Sequence, residues 1–442
     1  MSEATNAKQR PHVVVVGAGF GGLSAVKALA KADADVTLID RRNHHLFQPL
    51  LYQVATAALA PDQIASPIRS IVRKQRNVSV ILDEVVSIDR NARQVILRDR
   101  AIAYDYLILA TGARHAYFGN DGWEEHAPGL KALEDASAIR EKILLAYERA
   151  ELTPPGPARD RALSFVIIGG GPTGVEIAGA LAELSKRALA SDFRHTRCSD
   201  PRVVLIEAGP RLLPSFSPKI SDYARKALEK RGVEVRLGKA VTECSDRKVS
   251  MGDDIIEADT IIWAAGVRAS PAAQWVNASA DRAGRAEVRP DLSLDGAPNI
   301  FIIGDTASVI GADGKPTPGL APAAKQQGAY VGRVIKEKIA GRAAPGPFRY
   351  MDFGSLATVG RNDAVVEFGG FRLTGFLAWL FWCVIHIYFL IGFRNRILVT
   401  LDWLWSYITY ERGARLIIES VGAEESAQRR RTAAPRESIA AE

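Results

Sequence analysis

Three times along the chain a short apolar run ends in a glycine-bearing turn. His12–Val16 leads into Gly17-Ala18-Gly19-Phe20-Gly21-Gly22, Phe165–Ile168 into Gly169-Gly170-Gly171-Pro172-Thr173-Gly174, and Ile300–Ile303 into Gly304-Asp305. Runs of this length bounded by glycine read as buried strands. After the first two turns, small and apolar side chains return at helical spacing: Leu23, Val26, Leu29 and Ala30, then Val175, Ile177, Ala178 and Leu181. Each helix feeds a further apolar strand that stops on an acid, Val36–Ile39 before Asp40 and Val203–Ile206 before Glu207. The pattern predicts β-α-β twice in one chain. Pro- and Gly-rich stretches at Thr153–Pro157 and Ala343–Pro347 punctuate it into parts.

Both turns fit G-x-G-x-x-G in the strand-turn-helix context that gives this motif its meaning. Gly17 allows the tight turn, Gly19 lets main chain approach a pyrophosphate, and Gly22 lets the helix pack on the sheet. Gly169, Gly171 and Gly174 take the same parts in the second copy. The helix start presents free N–H groups and a positive dipole end to phosphate. Asp40, 23 positions after Gly17, is placed to accept from a ribose hydroxyl. Glu207 comes 38 positions after Gly169, a gap attributed to a surface insert at Lys186–Arg202. Two such folds imply two dinucleotides, the usual pair being a resident flavin and an exchanging nicotinamide. Glu207 repels a 2′-phosphate, which favours NADH, although Arg211 could soften the preference.

Composition narrows the remaining classes. At 47% hydrophobic and 24% charged residues over 442, the chain is long enough for two or three globular domains. The net charge of +7 is spread without a long basic run, so nucleic acid is not expected as a partner. Cys198, Cys244 and Cys383 are far apart, with no C-x-x-C pair and no zinc spacing, so no metal is expected. Met1–Arg10 is polar and carries no signal-peptide pattern.

The order of the first fingerprint, Ala110-Thr111-Gly112, the second fingerprint, Trp263-Ala264-Ala265-Gly266 and Gly304-Asp305 resembles the two-dinucleotide-binding-domain flavoproteins. Asn43–Tyr52 and Leu320–Gly328 are similar to segments of one branch, the type II NADH dehydrogenases. The resemblance implies FAD on the first fold, held by Gly17, Gly19, Phe20, Gly21, Gly22, Asp40, Arg41, Thr111, Gly112, Gly304 and Asp305. It implies NADH on the second, held by Gly169, Gly171, Pro172, Thr173, Gly174, Glu207, Ala265 and Gly266. Ala321, Pro322, Lys325 and Gln326 match the family's quinone motif, with Pro322 replacing its first Gln. Glu176 matches a carboxylate beside flavin and nicotinamide that is proposed to relay protons. Gln326 and Glu176 are thus the expected catalytic residues.

Leu373 to Phe393 holds 21 residues without Asp, Glu, Lys or Arg, flanked by Arg372, Arg394 and Arg396, with Trp379, Trp382, Trp403 and Trp405 nearby. A helix of that length reaches roughly 30 Å. It reads as a buried core helix, a single membrane span, or a monotopic anchor lying in one leaflet with Ile397–Tyr410 as a second helix. The family is monotopic, and on the anchor reading the two cofactor folds should not need this segment.

The expected fold is therefore α/β: two Rossmann-like dinucleotide-binding domains, the first discontinuous (10–115 and 285–342, FAD; 158–284, NADH). A C-terminal membrane-anchoring region (346–420) and a flexible tail (421–442) follow. The expected activity is oxidation of NADH through FAD to a membrane quinone, without proton pumping, on the cytoplasmic face of a bacterial inner membrane. The partners would be quinone and the lipid bilayer surface, with a homodimer left open. A sulfide:quinone oxidoreductase and a non-catalytic NADH sensor are the competing readings; the scattered cysteines disfavour the first.

Overall fold

The computed structural model describes residues 10–189, 192–196, 201–311, 314–409 and 411–417. The expected tail and Cys198 lie outside these residues.

Val13, Val14 and Val15 have no solvent exposure, as befits a strand covered on both faces. They form the centre of a six-stranded sheet ordered Ser293–Leu294, Ala297–Ile302, Tyr106–Leu109, His12–Val16, Asp35–Asp40 and Val78–Leu82. All neighbours are parallel except the 293–294 edge. The chain leaves this sheet after Leu109 and returns to it more than 180 residues later, at the edge strand that starts at Ser293. Between lies a second parallel sheet ordered Val233–Leu237, Arg202–Glu207, Ser164–Ile168 and Thr260–Trp263. In both sheets the glycine turn follows the strand at which strand order reverses, where such folds open a crevice. Ala113–His115 pairs antiparallel with Val267–Ala269 and joins the two folds.

Two helix contacts are made through glycine. Helix Ala321–Ile339 lies on helix Phe20–Ala28 so closely that a Cβ at Gly328 would meet Gly21 O at 2.0 Å, and one at Gly332 would meet Ala28 Cβ at 2.5 Å. Helix Pro172–Glu183 lies on the C-terminal sheet, where a Cβ at Gly179 would meet Val359 O at 2.0 Å. That sheet is the antiparallel set Ser355–Gly360, Asp363–Phe368 and Phe371–Gly375. Two helices follow it, Phe376–Phe389 and Phe393–Thr409.

The apolar run is therefore not one helix. Its first residues finish a strand, Gly375 and Gly392 turn the chain at φ +76° and +91°, and the helix between has 14 residues, roughly 21 Å. Among the described residues no helix is long and apolar enough to cross a membrane. Nor is the region separable from the cofactor folds. Ala378, Trp382, Leu390 and Val399 belong to the same core cluster as Val175, Ile177 and Phe165, so truncation before Leu373 would open that core. The opposite faces of both helices are exposed and apolar, including Leu377, Leu380, Val384, Tyr388, Phe393 and Trp405. Of the flanking arginines, Arg372 is paired with Glu367 at 2.6 Å and Arg396 donates to Leu390 O, while Arg394 stays exposed. The insert before Glu207 is also less free than expected. The Glu151 carboxylate accepts from the main-chain N–H groups of Arg194, His195 and Thr196, tying it to helix Leu133–Leu152.

Gly328→Ala should cost about 2–3 kcal/mol through forced separation of the two helices, read as a fall in thermal midpoint of several degrees. Gly346→Ala, where a Cβ has open space, should leave the midpoint unchanged.

Candidate functional site

The two glycine turns are built alike. Gly17 and Gly169 take φ +99° and +113°, against Ala110 O and the Ala264–Ala265 main chain. Cβ atoms at Gly22 and Gly174 would each fall 1.8 Å from the carbonyl of the first glycine. The middle glycines differ from both: nothing lies within 4 Å of a Cβ at Gly19 or Gly171. The main chain is thus bare where a pyrophosphate would approach, and the residues present fit a dinucleotide on each fold. The acids organise the turns themselves. Asp40 accepts from Ala18 N (2.6 Å) and Arg42 N (2.8 Å), and Glu207 from Gly170 N (2.5 Å) and Gly209 N (2.7 Å). A carboxylate has lone pairs to spare beyond two such bonds. Arg41 is exposed and Pro172 starts its helix from an exposed position.

A cavity of about 240 Å³ opens at the end of the first sheet. Gly304, Asp305, Ala113, Lys131, Ala324 and Gln327 are among its walls, and the start of helix Ala321–Ile339 points its first turn towards it. Thr111 Oγ1 meets Ser270 Oγ at 2.5 Å and Ser270 N donates to Gly112 O, so the crossover is fastened beside this cavity. Burial lowers the pKa of the Lys131 ammonium, against the opposing pull of Asp305.

The quinone-motif residues separate. Pro322 sits in the first helical turn and is accommodated there. Gln326 does not face the cavity: its amide donates to Met351 O and accepts from Met351 N, both at 2.9 Å, clamping an exposed strap. The buried amide is that of Gln327, whose Oε1 accepts from Gly304 N at 2.6 Å. Helical phase carried the signal, since Ala323, Ala324, Gln327 and Gly328 share the buried face. Lys325 Nζ lies 4.3 Å from the centre of the Phe389 ring, linking this helix to the C-terminal region.

Glu176 lies where all three parts of the chain meet. Its Oε1 accepts from Thr358 N at 3.3 Å, and burial pushes the carboxyl up to about 8. Thr358 Oγ1 also meets Tyr52 Oη at 3.2 Å; Gln53 Nε2 donates to Tyr52 Oη, and Trp403 Nε1 to Gln53 Oε1. Burial, then the neighbouring Glu176, raise the Tyr52 phenol. Sequence reading missed these partners, which lie on separate elements. It also missed His45, buried neutral with a pKa near 4. Its Nδ1 bonds Ala18 O and its buried Nε2 is left without a partner beside the first glycine turn. Among the described residues no group of His, Cys, Asp or Glu could hold a metal.

Two dinucleotide folds sharing one junction define a pyridine nucleotide-dependent flavoprotein, and residues 11–328 match the pyridine nucleotide-disulphide oxidoreductase family. Residues 353–410 match the NDH2 C-terminal domain. The chain is 43% identical over 426 residues to the type II NADH:quinone oxidoreductase Ndh of Mycobacterium tuberculosis, covering 93% of this chain and 91% of that one. It is 32% identical to the type II NADH:quinone oxidoreductase of Staphylococcus haemolyticus, covering 84% and 92%. This chain belongs to the type II NADH:quinone oxidoreductase family. The fold is shared with NDH2 of Plasmodium falciparum solved with NADH, at a TM-score of 0.83 over 93% of this chain and all of that one, with 21% identity. A sulfide:quinone oxidoreductase of Aquifex aeolicus matches less closely, at 0.66 over 94% of each chain.

Gly19→Val should place a side chain in the open cradle and leave the purified protein with little FAD, measured by released flavin per chain; full flavin content would remove this turn from the site. The Glu176 carboxyl binds its proton more tightly folded than unfolded. Its contribution to stability is therefore complete below the ordinary carboxyl pKa of 4.5 and is lost as pH rises through about 8. Glu176→Gln should accordingly leave the thermal midpoint unchanged near pH 5 and raise it by several degrees at pH 9.

Proposed function

We propose that this chain oxidises NADH and passes two electrons through FAD to a membrane quinone, without pumping protons, while attached to one face of a membrane. FAD, when bound, would supply the redox chemistry that links hydride from NADH to the two electrons a quinone takes. Residues 10–115 and 285–342 hold it, through Gly17–Gly22, Asp40, Thr111, Gly112, Gly304 and Asp305. Residues 158–284 hold NADH, through Gly169–Gly174, Glu207, Ala265 and Gly266. The start of helix Ala321–Ile339 places its positive dipole end where negative charge gathers on reduction.

The observation that carries this reading is the convergence on Glu176. A carboxyl from the NADH-side glycine helix meets Tyr52 of the FAD-side chain at Thr358 of the C-terminal region. Burial pushes its pKa up to about 8, which favours the protonated carboxyl, and with Oε1 taken by Thr358 N the Oε2 atom is the one free to carry a proton. That is a proton source for an acceptor taking two electrons. The quinone reaches this junction from the exposed apolar face of Phe376–Phe389 and Phe393–Thr409, passing Lys325 and Phe389. Gln326 acts there only by fixing the Met351 strap. These faces rest in one leaflet at the cytoplasmic side of a bacterial inner membrane. Sulfide chemistry needs paired thiols, and among the described residues the two cysteines, Cys244 and Cys383, lie in different clusters.

Anaerobic mixing with NADH should bleach the yellow flavin within one turnover time, and soluble quinone should restore it as fast. Bleaching without reoxidation by quinone would favour a sensor. Attachment should be apolar, since each buried CH₂ contributes about 0.8 kcal/mol and an arginine near anionic lipid about 1 kcal/mol. High salt should leave the protein on membranes and detergent should release it; release by salt alone would contradict the apolar face.

A further inference from the structure

Phe118 stands where local preference opposes it. It and Gly119 are the centre of a tight turn closed by Asn120 N donating to Tyr117 O at 3.0 Å, with φ +52° and +94°. Two positive φ values make a turn that favours Asn, Asp or Gly at its first central position, and a bulky side chain there is an outlier. Burial does not compensate, because Phe118 is 71% exposed. The tip of its ring is used: a Cβ at Gly266 would fall 2.4 Å from Phe118 Cζ, and Gly266 itself holds φ +74°. The Trp263 ring centre is 6.2 Å away. A strained aromatic and an obligatory glycine thus fit each other at the surface, and most of the Phe118 side chain is open.

Strand order says what belongs there. Glu207, the Gly169 turn and Ala264–Gly266 stand side by side at the carboxyl ends of three adjacent strands. A dinucleotide lies across such a crevice. With its adenosine ribose at Glu207 and its phosphates at the Gly169 turn, the nicotinamide riboside falls at Ala264–Gly266. That end also borders the cavity of the first fold, through Ala113 and Val267. Backbone strain of this kind persists at sites where a side chain is needed in one place.

We propose that Phe118 is the aromatic wall of the nicotinamide half of the NADH site. This rests on the reading of the second fold as the NADH fold. The ring gives the nicotinamide an apolar surface and excludes water from it, without a hydrogen bond, and selects for a dinucleotide over its adenosine half.

The test uses the flavin-loaded enzyme with two probes, NADH and ADP-ribose, which lacks the nicotinamide. Phe118→Ala and Phe118→Asn should raise the NADH concentration for half-maximal anaerobic flavin reduction about tenfold, the size of one aromatic contact. The Kd of ADP-ribose should stay within about twofold, since its contacts lie on Glu207 and the Gly169 turn. Phe118→Asn should also raise the thermal midpoint, because Asn tolerates positive φ, whereas a structural Phe118 would lower it. Equal weakening of both probes, or of neither, overturns the proposal while leaving the NADH fold intact. Failure of the unmodified enzyme to bind ADP-ribose overturns the NADH-fold reading and the proposal with it.

Discussion

Gly328 and Gly332 let helix Ala321–Ile339 rest on the main chain of helix Phe20–Ala28, and the site depends on that approach. The contact brings Gly304, Asp305 and Gln327 to the turn at Gly17–Gly22, and with them two helix starts. A Cβ added at Gly21 would lie 3.3 Å from Ala324 O for the same reason. A methyl group at Gly328 would push the helix back and widen the cavity that Gln327 and Gly304 close. The second fold repeats the device at Gly179, where helix Pro172–Glu183 is laid on Val359, which fixes Glu176 against Thr358. Close approach of bare main chain sets the distance between the chemistry-bearing parts.

The C-terminal region follows from this arrangement. Its strand Ser355–Gly360 supplies the N–H that Glu176 accepts, and its Trp382 belongs to the same buried cluster as Val175 and Ile177 of the second glycine helix. The same helices turn Leu377, Val384 and Phe393 outward. One segment therefore closes the site and offers an apolar face, so a change in lipid contact and a change in the Glu176 environment act on the same residues.

The glycine turns were legible in the sequence because each glycine answers a local need: a positive φ, a bare approach or a helix resting on a carbonyl. The acids at Asp40 and Glu207 were legible for the same reason, each a fixed step from its turn. Gln326 was chosen by motif position, and the buried amide is its neighbour Gln327, because helical phase and not motif order decides which side chain turns inward. The break in the apolar run was written in Gly375 and Gly392, which composition alone counts as part of it. Tyr52 and Thr358, by contrast, meet across 306 positions with no shared pattern; only the packing of three elements brings them together. Phe118 carries a signal of a different kind, visible only once its φ is known.

The central claim is that NADH and quinone use separate sites, with Glu176 between the folds. It is tested most directly by reducing the flavin anaerobically, saturating the reduced enzyme with NAD⁺, whose nicotinamide half reaches the reacting end of the site, and mixing with quinone. Reoxidation is expected at the same rate with and without NAD⁺, because the second fold and the apolar face approach the junction separately. Reoxidation that slows in proportion to NAD⁺ occupancy would mean a shared site and would contradict it.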